Sequence, residues 1–87
     1  MTAEVIFEYE SESGEVFDLC CFLESEIAEL VKATPDGPDH QEFLVWELRE
    51  IRKWDTRQRI EHLFGMRERN RIERIAIGFI EASASSI

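Results

Sequence analysis

The chain has 87 residues, of which 44% are hydrophobic and 33% charged, and its net charge at pH 7 is -9. That length holds one hydrophobic core and excludes a second, so residues 1–87 are predicted to form a single domain. Six Phe, two Trp and one Tyr exclude a disordered composition. A core this small favours self-association, and a homodimer is a further expectation.

The sequence predicts a cytoplasmic protein that does not enter a membrane. No apolar run approaches the roughly 18–20 residues needed to cross a bilayer, and the N-terminus lacks the basic-then-apolar layout of a signal peptide. Cys20 and Cys21 are adjacent, a spacing that ordinary disulfide geometry disfavours. Two free thiols fit a reducing compartment.

The N-terminal segment predicts a β-hairpin. Val5, Phe7 and Tyr9 alternate with Ile6, Glu8 and Glu10. Residues 11–14 supply turn chemistry, and residues 16–19 resume a strand. An alternative is one helix from about Gly14, because seven apolar positions also recur at helical spacing. These are Val16, Leu19, Cys20, Leu23, Ile27, Leu30 and Val31. The residue types favour a strand followed by a helix from about residue 22 to residue 33.

Two more helices are predicted in the middle of the chain. Two prolines and a glycine in residues 34–38 predict a loop. Asp39 precedes Glu42 at capping-box spacing, which predicts a second helix with Leu44, Leu48 and Ile51 on its buried side. The same spacing recurs at Asp55 and Gln58, and predicts a third helix that ends at Gly65.

The apolar residues of the C-terminal segment match the spacing of a helix and also that of a strand. Ile72, Ile75, Ala76, Phe79 and Ile80 have helical spacing, whereas residues 75, 77 and 79 alternate as in a strand. A strand over residues 74–80 is favoured for two reasons. The segment is rich in isoleucine and contains a glycine at position 78, which would weaken a helix. A two-stranded hairpin also needs a third strand to be stable. The predicted fold is therefore α+β: a three-stranded antiparallel sheet packed on two to three helices in the order ββαααβ, with residues 83–87 as a flexible tail. The alternative is a mostly α fold with a short N-terminal hairpin.

No arrangement of residues predicts an enzyme, a bound cofactor or a metal site. Cys20, Cys21, His40 and His62 lack the spacing of metal ligands, and the four glycines are scattered singly rather than gathered into a phosphate-binding loop. Glu47 falls within the apolar side of the predicted second helix, but an ion pair with a nearby arginine explains an acid there more simply than catalysis does.

Charge is unevenly distributed along the chain. Residues 1–42 carry twelve acids and one base, Lys32, whereas residues 43–87 carry nine bases and seven acids. Such asymmetry predicts an acidic surface that docks on a basic surface of another protein. The acids assigned to this surface are Glu4, Glu8, Glu10, Glu12, Glu15 and Asp18.

The predicted function is that of a small non-enzymatic regulatory or inhibitory protein. In size and charge the chain is similar to small acidic phage-encoded inhibitors of host defence, such as anti-restriction and anti-CRISPR proteins. That resemblance, which is one of composition, implies inhibition of a partner by mimicry of nucleic-acid charge. A second contact is predicted on the second helix, where Trp46, Arg49 and Arg52 have the composition of an interface hot spot.

The alternative function is nucleic-acid binding. Arg67, Arg69, Arg71 and Arg74 lie within eight residues, just after a helix predicted to end in glycine. Two observations weigh against this alternative: a net charge of -9 repels phosphates, and acids are interspersed among the arginines. Nucleic acid is therefore the less favoured partner.

Overall fold

The computed structural model describes the backbone of residues 1–85 and the side chains of residues 1–83. Its elements are the strands β1 (Thr2–Glu10), β2 (Val16–Thr34) and β3 (Gly37–Lys53), a single 3-10 turn (Glu61–Leu63) and the helix α1 (Met66–Ser85). The strands form one antiparallel sheet in the order β1-β2-β3. The predicted α+β class with three antiparallel strands is confirmed.

The predicted number and positions of the helices are not confirmed. The helices expected over residues 22–33 and 39–54 are wrong, because those residues form β2 and β3, and the third is replaced by a loop and the 3-10 turn. Residues 34–38 contain a tight hairpin turn at Pro35 and Asp36, followed by Gly37 at φ 118°. Proline fixes the first turn position and glycine accepts the positive φ, so the chain reverses and the strands pair.

The strand predicted over residues 74–80 is also wrong, since these residues belong to α1. The third strand of the sheet is β3 instead. The segment forms a helix and not a strand because a helix puts Ile72 and Ala76 on the same side, where both are fully buried. Of the predicted tail 83–87, residues 83–85 are helical and residues 86–87 lie outside the described residues.

The core lies between α1 and one face of the sheet. Alternate residues of β1 and β2 point to this face, which places Phe7 opposite Leu19 and Tyr9 opposite Phe17 in the antiparallel register. The ring of Phe64, just after the 3-10 turn, contacts those of Tyr9 and Phe17 edge to face, at centroid distances of 5.9 and 5.3 Å. These contacts fix the direction in which the chain enters α1.

A β-bulge in β3 is joined to the helix by a hydrogen bond. The pairing shifts between Phe22 and Leu23, whose partners are Glu50 and Leu48, so that Arg49 is the extra residue. A bulge leaves backbone groups without ladder partners. The amide of Leu48 donates instead to Oε2 of Glu73 on α1, at 3.0 Å.

Past Thr2, where β1 begins, the sheet continues as a two-stranded ribbon. Thr2 pairs with Glu24, and the amide of Ser25 donates to the carbonyl of Met1 at 2.8 Å. Beyond Ser25, β2 pairs with β3 alone. We call residues 25–46 the arm. The radius of gyration is 16.3 Å, against roughly 12 Å for a compact chain of this length. The arm therefore makes the molecule elongated, with extents of 54 × 29 × 18 Å. Within residues 1–85, no helix has the length and apolar content that spanning a membrane requires.

Candidate functional site

The face of the sheet turned away from α1 carries most of the predicted acidic surface. We call it the open face. Alternation along β1 places Glu4, Glu8 and Glu10 there, because Tyr9 and its alternate neighbours point to the core. Asp18 of β2 lies directly opposite Glu8. Structure thus brings four of the six predicted acids onto one face, and the other two, Glu12 and Glu15, lie in the adjoining turn.

Only some of these acids have a basic partner. An oxygen of Glu4 lies 3.3 Å from Nη1 of Arg57, and one of Glu12 lies 3.1 Å from Nε of Arg67. The remaining acids form no ion pair within the part of the chain that the structure describes. These are Glu8, Glu10, Glu15 and Asp18, all of them exposed. A coherent negative surface therefore remains after intramolecular pairing.

The buried thiol of Cys20 supports one edge of the open face. It donates a hydrogen bond to Oε1 of Glu4 at 3.0 Å, and Nη1 of Arg57 lies 3.7 Å from its sulfur. The hydrogen bond from Cys20 lowers the pKa of Glu4, with a further contribution from Arg57. Burial, followed by the hydrogen bond to the Glu4 carboxylate, raises the pKa of Cys20 to about 11. Burial likewise raises the pKa of Cys21 to about 12.

Both thiols are expected to be unreactive in the folded protein, because the thiolate is the reactive species. A thiol reagent at pH 8 should label neither cysteine in the native state and both after unfolding. Since the folded-state pKa values lie above the ordinary 9.0, the contribution of the thiols to the free energy of unfolding should be constant below about pH 9 and be lost as the pH rises toward 11. Rapid native labelling of Cys20 would contradict its contact with Glu4.

The predicted hot spot does not form one surface. Trp46, Arg49 and Arg52 lie on β3 rather than on a helix. Trp46 is half-buried against the core on the helix side, whereas Arg49 pairs on the open face with Glu24 at 3.0 Å. The guanidinium of Arg52 pairs with Glu50 at 2.9 Å and lies over a phenylalanine ring. The two faces of the sheet separate Trp46 from the arginines.

The four arginines of α1 have different environments. Arg69 donates to the backbone carbonyls of Glu61 and Phe64, at 2.7 and 3.0 Å, so its guanidinium ties the helix to the 3-10 turn. Arg67 is paired with Glu12. Arg71 and Arg74 are exposed, and neither has a carboxylate within ion-pair distance among residues 1–85. These two, which we call the arginine pair, line a shallow groove with Arg67 and Asn70.

Residues considered for catalysis or metal binding are dispersed. Glu47 is exposed and lies 3.5 Å from Nη2 of Arg49, in the kind of ion pair that its position suggested. His40 is exposed in the arm beside Glu29. Within residues 1–85, no group of three or more His, Cys, Asp or Glu side chains is placed to hold a metal ion. The prediction that the chain is not an enzyme stays a prediction.

The arm is a candidate surface that the sequence pattern did not predict. Six large hydrophobic side chains of the arm are between 44% and 72% exposed. They are Ile27, Leu30, Val31, Phe43, Leu44 and Val45. The signal that could have found it is the Pro-Asp-Gly run at residues 35–37, which is turn chemistry between two segments rich in apolar residues.

A scan against family models and searches of curated proteins and of solved structures found no match to this chain.

Proposed function

We propose that this chain is a small non-enzymatic regulatory or inhibitory protein that binds a basic surface of a macromolecular partner through its open face. The partner's cations would compensate the carboxylates that have no basic partner among the described residues, Glu8, Glu10, Glu15 and Asp18. Binding of this kind is steered by charge and weakens with salt. The proposed compartment is the cytoplasm, where both free thiols stay reduced.

The observation that carries the proposal is the pairing of Glu8 with Asp18. The two carboxylates are direct cross-strand neighbours on an exposed face, and neither has a basic partner among the described residues. Like charges directly opposite each other destabilise a sheet. Nothing in the packing needs this pair, whereas a cationic partner would turn the repulsion into attraction.

The spacing of the acids supports charge mimicry as the mode of inhibition. Glu8 and Glu10 are alternate residues of β1, so they recur along the strand every 6.8 Å or so, about twice the 3.4 Å rise per nucleotide of a DNA strand. A protein groove that binds nucleic acid is therefore the kind of surface we propose as the target. An inhibitor of a host defence system, of the anti-CRISPR type, is one protein of this description.

Reversing one charge of the pair should stabilise the fold. We expect Asp18→Lys to raise the free energy of unfolding by about 0.2–1 kcal/mol, because it replaces a repulsive cross-strand pair with an attractive one. Glu15→Lys is the matched control, since Glu15 is exposed in the turn between β1 and β2, outside the strand pairing and outside the arm. Urea denaturation measures both. Equal effects of the two substitutions would mean that net charge alone acts and that Glu8 does not feel Asp18.

Partner capture from host extract tests the function directly. The protein is immobilised and the extract is treated with nuclease. We expect wild type to retain a specific protein, and the triple variant Glu8→Gln/Glu10→Gln/Asp18→Asn to lose it. A matched control neutralises three acids that already have arginine partners, Glu24, Glu47 and Glu50. Equal retention by all three proteins, or none by wild type, would refute the proposal.

A further inference from the structure

The arm exposes a large apolar surface for a two-stranded ribbon in water. Both of its faces are apolar: Ile27 and Leu44 are cross-strand partners on the helix side, and Ala28 and Phe43 are partners on the open side. Among the described residues, Trp46 is the only hydrophobic side chain of the arm that packs against the core. An isolated two-stranded ribbon is marginally stable in water, so a surface that covers the arm would stabilise it.

The area available matches what a stable interface requires. The chain exposes 6433 Å², whereas a compact protein of 10.2 kDa exposes roughly 5,300 Å². This excess, about 1,100 Å², is comparable with the ~800 Å² that each partner buries in a standard interface. Six of the thirteen exposed large hydrophobic residues among those described lie in the arm, more than in any other part of the fold, so the arm is the element to be covered.

The charge of the arm indicates which kind of surface can pack on it. The arm holds five acids, Glu26, Glu29, Asp36, Asp39 and Glu42, against one base, Lys32. Two arms packed on each other would therefore bring together two surfaces of net charge -4. The arginine pair on α1, which has no carboxylate partner among the described residues, has the complementary sign.

We propose that the arm is a dimerisation element that packs along the outer side of α1, across the arginine pair, in a second copy of the chain. The dimensions agree: ten residue pairs of a ribbon span roughly 34 Å, and twenty residues of helix span about 30 Å. The exchange is reciprocal, so a two-fold axis gives two equal contacts and a closed dimer. The second copy is the occupant that the chain itself supplies, since arm and arginine pair are complementary.

Sedimentation of the full chain tests this proposal. Wild type is expected to sediment as a dimer of twice 10.2 kDa and to dissociate as salt is raised, because the Debye length falls from about 8 Å at 0.15 M to 3 Å at 1 M. The substitutions Phe43→Ser and Leu44→Ser together should give a monomer. Leu63→Ser, at an exposed position outside the arm, should leave the dimer unchanged. A wild-type monomer at all concentrations would overturn the proposal and leave the arm to a different protein.

Two charge-reversed proteins make the test specific. An arm variant, Glu26→Lys/Glu42→Lys, and a helix variant, Arg71→Glu/Arg74→Glu, should each raise the dimer dissociation constant by about tenfold or more. Mixed together they should form a heterodimer, because the unchanged arm of net charge -4 then meets the unchanged arginine pair, and the reversed helix meets an arm whose net charge the two substitutions bring to zero. Reversed proteins that dimerise as wild type does, or a mixture that remains monomeric, would overturn arm exchange. The residues changed here are not those of the capture experiment, so the two proposals fail separately.

Discussion

The substitution Ile72→Ala is expected to lower the free energy of unfolding by about 2–5 kcal/mol, the range for large-to-small changes in a packed core. Ile72 is fully buried and, with Ala76, forms the central contact between α1 and the sheet. For a domain of this size, such a loss is a large part of the total stability. Chemical denaturation monitored by circular dichroism measures it.

Met66→Ala is the matched control for this prediction, because Met66 begins the same helix and is 79% exposed. Its effect should stay within about 0.5 kcal/mol. An Ile72→Ala protein as stable as the control would mean that α1 does not dock on the sheet through this side chain. The core described above would then be wrong.

The second large effect is expected at the β-bulge. Glu73→Ala removes the acceptor of the Leu48 amide, and an amide left without a partner in a partly buried position costs about 1–3 kcal/mol. The same substitution should speed hydrogen exchange at the amide of Leu48. Both effects follow from one hydrogen bond that joins α1 to β3.

Glu73→Gln is the control that separates the hydrogen bond from the rest of the side chain. The amide oxygen of glutamine still accepts, so we expect this variant to recover most of the stability and the slow exchange that alanine loses. Equal losses in both variants would indicate that the negative charge, and not an acceptor at this place, matters. Unchanged exchange at Leu48 in the alanine variant would contradict the bulge geometry.

The N-terminal hairpin could be predicted because its signal is local. Val5, Phe7 and Tyr9 alternate, the turn residues follow at once, and the second strand resumes within a few positions. A period of two over a half-buried strand has few competing explanations. Structure confirms the hairpin and the side of β1 that faces the core.

The long strands could not be predicted from local pattern, because their stability comes from pairing. Ile27 and Leu44 satisfy helical spacing with their neighbours, yet they are cross-strand partners seventeen residues apart. The two-residue turn at Pro35 and Asp36 sets this register, and the same residues also fit a loop between helices. Near the C-terminus a strand was predicted where the structure has a helix. Gly78 and the isoleucines suggested the strand, whereas packing against the sheet stabilises the helix.

The acidic residues of the candidate site could be predicted from the sequence. Which of them form ion pairs within the molecule could not. Crowding of acids in the first part of the chain is visible in the sequence, and the hairpin register places Glu8 and Asp18 side by side. Which acids keep a free charge depends on Arg57 and Arg67, which reach Glu4 and Glu12 across more than fifty residues. The arm went unrecognised because its two strands were interpreted as helices.

We propose that this molecule binds its partner through the carboxylates of the open face, and that the arginines of α1 do not bind nucleic acid. A titration with random-sequence duplex DNA at increasing salt tests it most directly, because phosphate contacts by arginine give a steep loss of affinity with salt. We predict no binding even at low salt, where the net charge of -9 repels the duplex. Salt-sensitive binding that Arg71→Glu/Arg74→Glu abolishes would contradict the claim and establish the nucleic-acid alternative.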